Sequence, residues 1–281
     1  MFNLSSSEIF VPDGLALHEA LARTTHLVIA AHQDDIEIMA YHGIVACFRR
    51  QDEWFVGATV TNGSGSPRDA LYANTTDEDM QQIRRAEQKK AAQVGDYAAQ
   101  VFLDYGSSAV KDPKDPQVVA DLVKLLQATR PKVVYTHNFA DKHDTHVAVA
   151  LRTIAAIRQL PKDQRPESVI GCEVWRDQDW LCDTDKVVMD VSKHENLAAA
   201  LLGVYDSQIC GGKRYDLATM GRRRAHATFF ASHGVDGSDA LSFGSDLTPL
   251  IKDDSLDPLA FIQSLVKNFA DEVQARVMRL G

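Results

Sequence analysis

The sequence predicts an α/β protein: a Rossmann-like, doubly wound, mainly parallel sheet with helices on both faces. Two observations predict it. Short apolar runs rich in Val, Ile and Ala alternate with longer stretches of helical periodicity, and that alternation is the pattern of a parallel sheet covered on both sides. The segments directly behind two of the runs concentrate His and Asp, and in such sheets the strand-to-helix turns gather at the carboxyl edge, where ligands bind. The pattern is clearest over residues 20–160.

Taken in order, strands are expected at 25–32 (THLVIAAH), 54–60, 100–104, 132–137, 168–175 and 186–191. Helices are expected near 36–50, 78–94, 116–128, 145–158, 194–206 and 258–279. The stretch 61–77 (TNGSGSPRDALYANTTD) is a long polar loop behind a strand, and loops of that length are usually functional. Residues 207–255 read as a second irregular region. The last helix opens on Asp257-Pro258, an N-cap followed by proline at the first helical position. Its residues Phe261, Ile262, Leu265, Phe269, Val273 and Val277 form a stripe at helical spacing. Packing on the core is the plain reading of that stripe, and a subunit contact in a homo-oligomer is the alternative.

At 281 residues the chain has room for one large α/β domain or two small ones. Neither a repeat nor a low-complexity linker divides it, so a single domain over 1–281 with long active-site loops (61–77, 207–255) and a C-terminal helix is expected. The net charge of −9 argues against a nucleic-acid partner. Arg222-Arg223-Arg224 is the local exception, and reads as a solvated helix face. No apolar run approaches the ~20 residues of a membrane span, and the first residues lack the basic start and apolar core of a signal peptide. Cys47, Cys172, Cys182 and Cys210 form no C-x-x-C pair and read as buried thiols of a reducing compartment. A cytoplasmic protein is the default expectation.

Two segments carry chemistry: His32-Gln33-Asp34-Asp35-Ile36-Glu37 after the first strand, and Asp141-Lys142-His143-Asp144-Thr145-His146 after Val133-Val134-Tyr135. Alone, His32 with its aspartates could be a helix cap, and His143 with His146 could be two surface histidines three apart. Placed at neighbouring strand ends, they can face each other across one crevice. Two His and one Asp on a divalent metal, with a position left open, form a hydrolytic centre.

With these residues in this order, the chain resembles the LmbE-like, or PIG-L, metal-dependent N-deacetylases of acetylated amino sugars. That family's A-H-P-D-D-x-E-[IL] motif is matched by Ala31-His32-Gln33-Asp34-Asp35-Ile36-Glu37-Ile38. Its T-H-N followed by D-x-H-x-D-H is matched by Thr136-His137-Asn138 and Asp141 to His146. Its T-x-G loop, R-x-x-E helix and late S-Q pair are matched by Thr61-Asn62-Gly63, Arg84 to Glu87, and Ser207-Gln208. The similarity runs over roughly residues 25–210.

The resemblance implies a hydrolase that removes the N-acetyl group from an N-acetylglucosamine-type amino sugar or its conjugate. It implies His32, Asp35 and His146 as ligands of Zn²⁺, with Fe²⁺ or another divalent ion compatible with the same set. It makes Asp34 the general base and His143 a stabiliser of the oxyanion, and offers Arg84, His137 and Asp141 as pocket or supporting groups that contact substrate. For Arg84 a plain ion pair with Glu87 is the competing reading. Trp175 and Trp180 could stack on a sugar, although a tryptophan on a strand is more often core.

This sequence departs from the family in four places. Gln33 replaces a proline, Tyr41-His42 replaces a glycine pair, Thr145 replaces the Asp of H-x-D-H, and the region after 210 matches poorly. The first should leave the ligands in place. The second either narrows the pocket or packs in the helix. The third leaves the tuning of His143 to Asp141 or Asp144. Two other functions compete: a sugar-binding relative that has lost activity, and a metal phosphoesterase, which would need two metals and more carboxylates.

Overall fold

Residues 27–30 alternate between two cores. Leu27 and Ile29 join one buried apolar cluster, while Val28 and Ala30 join the other, because successive side chains of a strand point to opposite faces. This strand therefore has to be central and covered on both sides. The computed structural model describes residues 1–231 and 233–281. It begins with β1 (Glu8–Phe10), α1 (Leu17–Ala22), β2 (His26–Ala30), α2 (Asp35–Met39), α3 (Tyr41–Cys47) and β3 (Phe55–Thr61). Next come α4 (Asp77–Val94), β4 (Ala99–Tyr105), α5 (Ser107–Lys111), α6 (Gln117–Thr129), β5 (Val133–His137) and α7 (Asp144–Arg158). Then follow β6 (Ser168–Cys172), β7 (Lys186–Asp190), α8 (Glu195–Gly203), α9 (Asp206–Ile209) and α10 (Tyr215–Phe229). The chain closes with β8 (Leu241–Asp246), α11 (Thr248–Lys252) and α12 (Pro258–Leu280).

The sheet order is β1-β4-β3-β2-β5-β6-β8-β7. The inner five strands are parallel, and the chain winds outward from β2 in one direction, then returns to start again at β5. β2 and β5 therefore flank the topological switch point, and their carboxyl ends open the crevice where such sheets bind ligands. Two strands run against this direction: β1 is antiparallel to β4, and β8 is antiparallel to both β6 and β7, so that β7 again runs with the parallel set. No helix of the described residues is long and apolar enough to cross a membrane.

Several elements differ from their sequence expectation. The helix expected at 36–50 is broken at Ala40, where the backbone takes φ −115 and ψ 22. The cause is Arg223, whose guanidinium takes the carbonyls of Glu37 and Ile38 at 2.8 and 3.2 Å. A continuing helix would have offered those carbonyls to residues 41 and 42. The solvated-face reading of the arginine cluster thus fails for Arg223, which is 3% exposed. Arg222 donates to the Val174 carbonyl, and only Arg224 is exposed. Of the cysteines, Cys182 is half-buried and Cys210 exposed, so the buried reading holds for Cys47 and Cys172 alone.

The strand expected at 168–175 stops at Cys172, and residues 207–255 contain α9, α10, β8 and α11 in place of one irregular loop. Ser232, within that stretch, lies outside the described residues. α12 buries none of its residues. Phe261 packs on the core and Phe269 meets the Trp180 ring, whereas Val273 and Val277 are 42% and 64% exposed, so the stripe packs on the body only over its first half.

Glu173, at the end of β6, fastens β8 to the sheet. Its Oε1 accepts the Phe243 N–H at 3.1 Å, and the side chain is buried beside His226. Burial pushes the Glu173 carboxyl up to about 8 against the pull of Arg222. A carboxyl raised in the fold stabilises it below the unfolded value of 4.5, and this contribution is withdrawn as pH climbs through about 8. Glu173→Gln keeps an accepting oxygen but cannot ionise. Its denaturation midpoint should therefore fall less than the parent's between about pH 5 and pH 8, and parallel curves would contradict this origin of the pH dependence.

Candidate active site

β2 delivers its last residues into the crevice, and Asp34 and Asp35 open α2 directly behind it. β5 ends on His137, and α7 begins at Asp144, so His146 lies in the first turn. The switch point thus brings together segments more than a hundred residues apart. His32 Nδ1 lies 3.2 Å from Asp35 Oδ2 and 3.2 Å from His146 Nε2. The third side of the triangle, His146 Nε2 to Asp35 Oδ2, is 3.3 Å. Bonds of 2.0–2.1 Å in tetrahedral geometry would separate ligand atoms by about 3.3 Å, so this triangle could seat one divalent ion.

The donor set fits a cation on chemical grounds as well. His146 Nδ1 is engaged by Asp141 Oδ2 at 3.2 Å, which puts the ring proton on Nδ1 and aims the Nε2 lone pair at Asp35. Only a proton or a metal ion reconciles that lone pair with the carboxylate oxygen facing it. Burial opposes charge on His146, but Asp35 and Asp141 outweigh it and push the ring up to about 10. Burial would also raise Asp35, yet His146 and His32 hold it well below the usual carboxylate range. Burial brings His32 down to about 4, so that ring is neutral and its Nδ1 free to ligate.

His137 could be taken for a ligand, since a nitrogen of its ring, an oxygen of Asp35 and a nitrogen of His146 are mutually close. Its Nε2, however, accepts the Ala31 N–H at 2.9 Å. That bond occupies the lone pair and leaves His137 stacked on His146, with ring centroids 4.0 Å apart. Neither His137 nor Asp141 lines the pocket. Both lie behind the triangle, the supporting position expected for them as the alternative to a pocket wall, with Asp141 bonded to His146. Asp141 Oδ2 also accepts the Trp175 N–H at 3.3 Å, linking the triangle to the pocket wall.

Asp34 points into the pocket and takes no part in the triangle. Its backbone has φ 91, a conformation that costs a non-glycine residue on the order of 1–3 kcal/mol. Arg84 and Gln88, one turn apart on α4, hold it there. Gln88 Oε1 accepts the Asp34 N–H at 3.4 Å, and Arg84 donates to the Gln33 carbonyl at 2.5 Å, with a nitrogen 3.5 Å from Asp34 Oδ1. Arg84 also donates to the Gly63 carbonyl and Ser66 Oγ. The competing Arg84–Glu87 pair does not form, since Glu87 is taken by Ser207. Gly63 has φ +78, and a Cβ there would come within 2.3 Å of Gln33 Oε1. Gln88 in turn donates to Glu37, a buried carboxylate that also accepts from Tyr97 and Tyr205. Burial pushes Asp34 well above the usual carboxylate range, only partly relieved by Arg84. Two adjacent carboxylates are thus driven in opposite directions, the pattern that separates a proton acceptor from a ligand.

The pocket, of about 370 Å³, is walled by three regions. The 61–77 loop contributes Gly63, Ser66 and Pro67, and the 207–215 stretch contributes Gln208, Lys213 and Tyr215. Trp175, just past the end of β6, both lines the pocket and packs against the core cluster. His143 lines the pocket, and its Nδ1 has no hydrogen-bond partner. Burial and the neighbouring His146 hold its pKa below the usual imidazole value, which favours the neutral ring. Asp144 is exposed, and Asp141 takes the His143 backbone N–H in preference to its ring. Neither supplies the carboxylate lost at Thr145. Tyr41 and His42 do not line the pocket: Tyr41 donates to the Lys193 and His194 carbonyls, and His42 pairs with the Tyr135 hydroxyl. Sequence reasoning missed Gln88, Lys213 and Tyr215, which carry no motif.

Residues 27–157 match the family described as GlcNAc-PI de-N-acetylase, PIG-L. No curated protein matches the chain. Among solved structures, the N,N'-diacetylchitobiose deacetylase of Pyrococcus horikoshii is similar at 17% identity, with 82% of this chain and 86% of that one covered and a TM-score of 0.63. The 4-carboxy-2-hydroxymuconate hydratase GalB of Pseudomonas putida is similar at 15% identity, 80% and 96% coverage and a TM-score of 0.62. A zinc-inhibited form of the teicoplanin deacetylase is similar at 16% identity, 79% and 97% coverage and a TM-score of 0.58. At these identities the likeness shows the fold, and a fold hosting both deacetylases and a hydratase does not decide the chemistry.

If Asp141 orients His146, Asp141→Asn should weaken binding of a divalent ion by about 10–100-fold. Competition against a chromophoric chelator reads that change directly. An unaltered dissociation constant would show that Asp141 only braces the Trp175 wall.

Proposed function

We propose that this chain, of which residues 27–157 match the PIG-L family, is a metal-dependent hydrolase that removes the acetyl group from an N-acetylglucosamine-type amino sugar or a conjugate of one. One observation carries this reading. A triangle of two imidazoles and a carboxylate, with sides of 3.2–3.3 Å, lies beside a separate buried carboxylate whose pKa is raised. His32, Asp35 and His146 would hold the ion. Zn²⁺ fits this donor set, and Fe²⁺ fits it as well. Such an ion polarises an amide carbonyl and acidifies water at neutral pH.

The remaining work falls to the chain's own residues. Asp34, with its raised pKa, takes the proton of the attacking water near neutral pH and returns it to the leaving amine. Arg84 and Gln88 hold the strained backbone at Asp34, so the carboxylate faces the pocket before substrate arrives. His143 donates to the developing oxyanion as a neutral imidazole, a contact of a kind worth about 3 kcal/mol. The deacetylases among the similar structures support the reaction class. Free thiols at all four cysteines fit a reducing, cytoplasmic setting.

The test is amine release from a panel of N-acetylated amino sugars, in protein stripped with a chelator and reloaded with Zn²⁺ or Fe²⁺. Activity should vanish on stripping and return with one of the ions. Asp34→Asn should retain the ion and lower kcat by about 10²–10⁴-fold. Undiminished activity in stripped protein, or no amine from any sugar with any ion, overturns the reading.

A further inference from the structure

A second cleft, of about 700 Å³, lies between the 175–180 segment and α12. Trp175 lines both this cleft and the pocket described above. The loop after β5 also borders both, with His143 on the pocket and Lys142 on the cleft. The two cavities are therefore the two sides of one wall, and the backbone of that wall is fixed to Asp141. The floor of the cleft is apolar. Trp180 and Phe269 meet edge to face with ring centroids 6.4 Å apart, and Val266 and Phe269 present 48% and 39% of their surface. Charged groups border it: Asp177 is held by Arg222 at 2.5 Å, Arg176 and Asp179 are exposed, and the Lys142 ammonium lies 5.9 Å over the Trp175 ring.

Resting on the deacetylase reading, we propose that this cleft is a second substrate subsite that binds an apolar alkyl or aryl aglycone on the amino sugar. The preferred substrate is then a conjugate that crosses Trp175, with the acetamide in the pocket and the apolar group against α12. Continuity through Trp175 argues for a substrate extension over other occupants. The apolar residues Val266 and Phe269 of α12, which stay partly exposed, supply the far wall.

Two readouts test the subsite. Titration of the intact protein with hexyl and methyl β-D-glucosides, which carry no acetamide, follows binding through tryptophan fluorescence. The hexyl compound should bind about tenfold or more tightly than the methyl one, and Phe269→Ala or Val266→Lys should remove most of that difference. In turnover, the hexyl glycoside of N-acetylglucosamine should exceed the free sugar in kcat/KM, mainly through KM, and the ratio should collapse in the same variants. Equal binding of the two glucosides, or a preference that survives both variants, overturns the subsite. A dimer that either variant dissociates also overturns it, since a second copy then covers the face. Tight hexyl binding with no amine released from any sugar would uphold the subsite and reject the deacetylase reading.

Discussion

A lone pair of His146 faces an oxygen of Asp35 across 3.3 Å, and the rest of the site depends on what that contact demands. The orientation is enforced from behind, because Asp141 holds the other ring nitrogen and a buried imidazole cannot turn away. It is enforced from the front by His32, whose backbone N–H fixes Asp35 Oδ2 at 2.8 Å. One half of the contact comes from the end of β2 and the other from the start of α7. It can exist only because β2 and β5 are neighbours at the switch point. The parallel sheet is thus the frame that brings together the two turns that carry these residues.

The same frame separates the roles of two adjacent aspartates. Asp35 sits among imidazoles and is held ionised, while Asp34, one residue earlier, is turned by its positive φ away from them and desolvated. A raised carboxyl pKa is a cost the fold sustains through buried polar groups. Arg84 and Gln88 on α4, and Glu37 with its two tyrosines behind them, form a hydrogen-bonded chain leading away from Asp34, in which Arg84 Nε alone lacks a partner among the described residues. Buried networks of this kind help to rigidify a site. His143 stands outside it, with no carboxylate on its ring, where Thr145 occupies the place of the motif's Asp.

Much of this was legible in the sequence, for a physical reason. The β2 and β5 runs are buried on both faces, and such strands announce themselves as continuous apolar stretches followed by polar turns. The ligand residues lie in those turns and so could be read. β8 could not, because Leu241-Ser242-Phe243-Gly244-Ser245-Asp246 has little strand propensity and is held by pairing with β6 and β7 and by Glu173. α10 was hidden for a related reason, since its buried face carries Thr219, Arg223 and His226, polar residues whose partners are distant in sequence. Gln88 and Tyr215 were hidden likewise, as their importance lies in contacts across the crevice. α12 misled in the opposite sense, with a regular apolar stripe that the body of the protein covers only over its first half.

The central claim is that one divalent ion sits on His32, Asp35 and His146 while Asp34 stays free to accept a proton. Anomalous diffraction from crystals of the zinc-loaded protein tests it most directly. The account predicts a single strong peak within bonding distance, about 2.0–2.2 Å, of His32 Nδ1, His146 Nε2 and an Asp35 oxygen, with Asp34 outside that shell. A peak bonded to Asp34 or to His137, or no peak in the triangle, would contradict it.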